Sequence, residues 1–164
     1  MNFQQEMLSL KIKKRTKYRT QRKGYDRYQL RRKYLVNALS RSNILPNESL
    51  KGLDKLSLWG LRSNAAKQKI LLEELGRVFL HLNQKRGYKS SRSDANLDKK
   101  DTEYVQLVKS RHQKILELGL TIGQYFYQQL KEDDTYRIKE QIFPREAYID
   151  EFDAIITEQK KHYP

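Results

Sequence analysis

The stretch Lys11-Ile12-Lys13-Lys14-Arg15-Thr16-Lys17-Tyr18-Arg19-Thr20-Gln21-Arg22-Lys23-Gly24-Tyr25-Asp26-Arg27-Tyr28-Gln29-Leu30-Arg31-Arg32-Lys33-Tyr34-Leu35 holds one glycine and no proline. Its Arg, Lys, Gln and Leu residues favour helix, so it predicts one long helix over about 11–42. Gly24 is its weak point, costing about 1 kcal/mol relative to alanine. At 100° per residue Arg15, Arg19 and Arg22 share one face, Arg27 and Arg31 another, and Arg32 points elsewhere. A helix resting on a core shows one dry face. This one shows only Leu30, Tyr34, Leu35 and Leu39 near its end.

Charge gives that helix a purpose. Residues 1–41 hold thirteen Lys/Arg against Glu6 and Asp26, a net +11. The other 123 residues hold 21 Lys/Arg against 18 Asp/Glu, a net +3, so nearly all of the net +14 sits in one quarter of the chain. Charge so concentrated calls for a polyanion beside it. Arginine forks match phosphate oxygens, and the interleaved Tyr18, Tyr25, Tyr28 and Tyr34 suit stacking on bases or riboses. Nucleic-acid contact outweighs a solvated helix or a disordered basic tail. The charge does not separate RNA from DNA.

Outward from the helix, the remaining 43–164 reads as a small helical domain. The whole chain of 164 residues is about one domain long, and strand alternation is weak, so the fold class is all-α. Pro46 ends the long helix, and Asn47 caps a short one over Glu48 to Leu56. Leu71, Leu75, Val78, Phe79 and Leu82 mark a core-facing helix that stops at Gly87, after Lys85 and Arg86. Residues 88–101 read as a polar loop. Further helices follow over Thr102 to Leu118, with Tyr104, Val108, Ile115 and Leu118 inward; from the cap Thr121 to about Lys131; and from Pro144 to about Lys161. The chain has no cysteine, which excludes disulfides and thiolate metal sites. No apolar run approaches a membrane span and no signal peptide is visible, so a soluble, cytoplasmic protein is expected.

Other candidate sites are fewer. Lys85, Arg86, Tyr88, Lys89 and Arg92 cluster at a helix end and suit a phosphate or a looped RNA base, against the plainer reading of a solvated helix C-terminus. Trp59 reads as core, with Arg62 three residues on. His81, His112 and His162 lack metal-ligand spacing and read as structural. Glu146, Asp150 and Asp153 share a helix face, and an exposed acidic stripe accounts for them better than a divalent metal in a small nuclease. No phosphate-binding loop, dinucleotide fingerprint or nucleophile elbow is present, so no catalytic residue is assigned.

The basic stretch Arg15–Leu35 resembles the arginine-rich bridge helix of type II CRISPR effectors, the RNA-guided DNA endonucleases with RuvC and HNH nuclease domains. The resemblance continues in order through Leu58-Trp59-Gly60-Leu61-Arg62-Ser63-Asn64-Ala65, then Glu73 to Arg92, then Thr121 to Tyr127, then Phe143 to Ile155. It covers about 15–163, and four ordered blocks are more specific than one arginine-rich helix. It implies a bridge helix over 1–42 and the start of the recognition lobe over 43–164. It implies a part in antiviral defence, with guide RNA, the RNA–DNA heteroduplex and the rest of the effector as partners. Arg15, Arg19, Arg22, Lys23, Arg27, Arg31, Arg32, Arg62, Lys85, Arg86, Tyr88, Lys89 and Arg92 are then the RNA-binding residues. They would hold backbone while base pairing reads sequence. The family's magnesium belongs to its nuclease domains, so no cofactor is expected in this chain.

The departures are as telling. Only Asn2 to Gln5 and Leu8 to Lys11 resemble the tail of the nuclease segment that precedes the family's basic helix. Nothing resembles the HNH domain, the later nuclease segments or the PAM-reading domain. The expectation is a fragment or degraded gene product that does not cut DNA unaided. A stand-alone basic RNA-binding helical protein is the alternative.

Overall fold

The computed structural model describes residues 3–85, 87, 88 and 99–163. Among these residues the secondary structure is helical throughout, with seven α-helices, one 3-10 turn and no strand. Helix α1 (Phe3–Arg41) includes Gly24 without interruption. It starts earlier than the basic run predicts, because Gln4 to Leu10 contain no breaker. Thirty-nine residues make a rod of about 58 Å. Apart from half-buried Tyr28, its side chains from Met7 to Leu30 are exposed, and from Met7 onward Leu39 is its one buried residue. The rod therefore meets the rest of the molecule at its C-terminal end.

The turn that ends α1 is tightly specified. Asn43 adopts φ 55°, and the Ile44 amide donates back to the Leu39 carbonyl at 3.0 Å. Asn47 caps α2 (Glu48–Lys51), its side-chain oxygen accepting from the Leu50 amide at 3.0 Å. The predicted helix over 48–56 is in fact two helices. α2 ends at Gly52, and Asp54 opens α3 (Lys55–Ala65) by accepting from the Ser57 amide at 3.0 Å. An aspartate that can cap competes with helix continuation.

α4 (Leu72–Leu82) buries Leu75, Val78, Leu80 and His81. Leu71, expected inward, is the N-cap and 66% exposed. The helix stops at Leu82, before Lys85. Gly87 then takes φ 71°, a left-handed conformation that suits glycine. This lets Tyr88 pair with the start of α7: its amide donates to the Phe143 carbonyl at 2.8 Å, and its carbonyl accepts from the Arg145 amide at 2.9 Å.

α5 (Lys99–Glu117) begins inside the stretch read as a loop; residues 89–98 of that stretch lie outside the described residues. Its core contacts are Val105, Val108 and Ile115, whereas Leu118, expected inward, lies past the helix end and is 54% exposed. α6 (Ile122–Glu132) starts at the predicted cap, Thr121, and α7 (Arg145–Lys160) follows Pro144.

α3 is the centre of the domain, packing most extensively on α6 and also on α4 and α7. One cluster joins Trp59, Ile115, Ile122, Tyr125, Phe126, Leu130, Phe143 and Tyr148. A second joins Ala65, Ile70, Leu75, Val78 and Ile155. Gln159 of α7 closes the link between α3 and α4. Its amide nitrogen donates to the carbonyls of Ala65 and Gln68, both at 2.7 Å, and its oxygen accepts from the Ile70 amide at 3.2 Å. No helix among the described residues is long and apolar enough to cross a membrane.

Candidate nucleic-acid interface

Arg15, Arg19, Arg22, Lys23 and Arg27 project from the free part of α1 and are exposed. Arg15, Tyr18, Arg19 and Arg22 line one groove, as their helical spacing requires. Tyr18 is 66% exposed, and Tyr25 and Tyr34 are similarly open. Arg31 and Arg32, nearer the domain, are half-buried, and Arg31 Nε has no hydrogen-bond partner. Among the described residues no α1 cation is paired with a carboxylate. Mutual repulsion along such a rod goes uncompensated until an anion arrives.

Arg62 does something else. Its side chain is fully buried against the fully buried carboxylate of Glu151. Nε donates to Oε1 at 2.8 Å and Nη2 to Oε2, while Oε1 also accepts from the Gly123 amide at 2.8 Å. The guanidinium lies 4.8 Å from the Trp59 ring centroid. A group with all of its surface inside the core does not meet an RNA phosphate, so the expected contact is corrected to a structural one. Trp59 is core as expected, edge-on to His81 at 4.6 Å and to Phe126 at 4.8 Å.

The second basic cluster is only partly described. Lys85 turns inward: its ammonium lies 5.9 Å from the Phe126 ring centroid. Burial, then the nearby Arg62, holds its pKa below the ordinary lysine value. Tyr88 packs edge-on to Tyr104 at 5.3 Å, and the two share a cleft with Lys85, Lys139 and Gln141. Arg86, Lys89 and Arg92 lie outside the described residues.

His81 is buried with Nδ1 unpartnered. Burial, with Arg62, Arg77 and Lys85 around it, pushes its pKa down to about 3. The imidazole is therefore neutral packing material. Glu146, Asp150 and Asp153 form an exposed stripe, and no metal-holding group of three ligands occurs among the described residues.

Arg77 of α4 has a role that no local sequence signal announces. It donates from Nε to the Leu50 carbonyl at 2.9 Å and reaches towards Arg32 of α1, at the place where α1 touches the domain. Its position, after Gly76 and opposite the polar end of α2, is set by tertiary packing alone.

The molecule is thus an all-α protein in which a long cationic helix leaves a compact helical domain. That arrangement is similar to part of a chain in the cryo-EM structure of the St1Cas9-sgRNA-tDNA59-ntPAM complex. The TM-score is 0.68 at 20% sequence identity, over 92% of this chain and 18% of that one. At this identity the likeness is one of fold, and the chain spans less than a fifth of that chain's length. No protein-family model matches the sequence, and no curated protein matches it.

Proposed function

We propose that the chain is the guide-RNA-holding portion of a Cas9-like, RNA-guided DNA endonuclease. α1 acts as its bridge helix and the α2–α7 domain as the start of its recognition lobe. The observation that carries this reading is α1 itself: a rod with exposed cations on several sides, no carboxylate partner among the described residues, and a groove of three arginines around Tyr18. The order of blocks along the sequence and the fold likeness to a chain in a complex with single-guide RNA support it. Arg15, Arg19, Arg22, Lys23, Arg27, Arg31 and Arg32 supply charge-assisted contacts to backbone phosphates, which give affinity with little sequence discrimination. Sequence is then read by base pairing between guide and target. Cleavage and its magnesium belong to nuclease domains outside these helices.

The test is binding of a structured guide-type RNA, followed by fluorescence anisotropy across a salt series. The triple variant R15A/R19A/R22A should bind more weakly. Its log–log salt slope should flatten by about 0.7 for each single-strand phosphate that it no longer neutralises. An unchanged slope and affinity would remove α1 from the interface.

A further inference from the structure

We infer that the cleft between α1 and α4, lined by Arg32, Lys51, Arg77, Leu80 and Gln84, is a built site for one RNA backbone phosphate, which fastens the two helices together. The inference rests on the proposed function and adds residues and a consequence that the basic helix alone does not supply.

Three elements converge on this cleft of about 220 Å³: Arg32 from α1, Lys51 from α2, and Arg77 and Leu80 from α4, with Gln84 just beyond. Its lining carries three cations and no carboxylate. Glu48, three residues before Lys51, bridges it at 2.5 Å from an exposed position outside the lining. Arg32 stands close enough to Arg77 to disfavour the charge on Arg77. Arg77 lies below the ordinary arginine pKa through burial first and Arg32 second. Two guanidinium groups facing one cleft cost free energy in the absence of an anion and become a phosphate clamp in its presence.

The clamp is fixed by the seam around it. A Cβ on Gly76 would stand 1.8 Å from the Ile44 carbonyl oxygen, so the backbone of α4 touches the turn that ends α1, one residue before Arg77. Asn47 donates to Glu73 across the same seam at 2.8 Å, which occupies that α4 carboxylate. Arg77 spends Nε on the Leu50 carbonyl at 2.9 Å, which orients its fork. A phosphate here bonds to α1 and α4 at once, so it holds the long helix at one angle to the domain.

The experiment measures RNA affinity against salt for wild type, R32Q, R77Q, R32Q/R77Q and Q84E, each with its melting temperature. Each single Arg variant should bind about tenfold more weakly. Its slope should flatten by about 0.7 to 1. The double variant, missing the same phosphate, should flatten little further. Q84E keeps the Arg77–Leu50 bond and places a carboxylate beside the clamp. It should weaken RNA binding without lowering the melting temperature. Wild-type binding by Q84E and R77Q, while R15A/R19A/R22A still binds more weakly, would overturn the clamp and leave the proposed function standing. A double variant whose slope falls twice as far would also overturn it, since two phosphates are then involved. No RNA binding by the wild type would remove the proposed function, and the clamp with it.

Discussion

Arg62 and Glu151, 89 residues apart, meet as a fully buried ion pair at the centre of the helical domain. The pair joins α3 to α7, and the Gly123 amide ties in α6. The arginine is stacked near Trp59 and Tyr148 as well, so its charge is enclosed on several sides. Removing one partner leaves the other charged inside the core. Arg62→Met or Glu151→Leu alone should cost about 3–5 kcal/mol in urea unfolding. The double variant should recover much of that stability. Single effects under about 1 kcal/mol would show that the pair does not hold the domain.

Gly76 gives the seam between α1 and the domain a second test. Gly76→Ala places a methyl group on the Ile44 carbonyl, a backbone atom that moves only with the whole turn. The gain in helix propensity, about 1 kcal/mol, is outweighed. Overpacking of this kind costs about 1–3 kcal/mol, and the thermal midpoint should fall. An unchanged or raised midpoint would show that the turn yields freely.

Gly24 is the opposite case. A Cβ there meets nothing within 4 Å, and the residue is helical and exposed. Gly24→Ala should raise the helical circular dichroism of the protein and stabilise α1 by about 0.5–1 kcal/mol. A fall in helicity would indicate a bend that the native helix needs.

His81 sets an acid limit. Its pKa lies at about 3 in the folded protein, below the ordinary value of 6.5. The unfolded chain therefore binds a proton that the folded chain refuses between those values. Stability is fully present above about pH 6.5 and declines as pH falls towards 3, by at most about 1.4 kcal/mol per pH unit from this group. His81→Phe keeps an aromatic ring beside Trp59 and removes the unpartnered nitrogen. It should flatten this arm of the stability curve, read as melting temperature from pH 7 to pH 4. An arm unchanged in the variant would assign the acid limit to other groups.

The elements legible in the sequence are those fixed by local chemistry. The long basic helix, the caps Asn47 and Thr121, and the apolar spacing of Leu75 and Val78 all act within a few residues of themselves. Leu71 and Leu118 mislead because they continue an apolar rhythm past a helix end, where the backbone no longer aims them inward. The break between α2 and α3 is hidden because Asp54 reads equally as a helical surface residue or as a cap. Arg62 misleads for a deeper reason. Whether an arginine faces water or a carboxylate depends here on Glu151, and no periodicity spans the distance between them. The seam that sets Arg77 beside Arg32 is tertiary in the same way.

A helix held at one end is a lever. The free arm of α1, from Met7 to about Leu30, is about 36 Å long. A tilt of about 10° where Arg32 faces Arg77 carries Met7 through about 6 Å. Small adjustments at this fulcrum thus become displacements of about 4 Å at Arg15, and whatever fixes the fulcrum fixes the position of the whole arm.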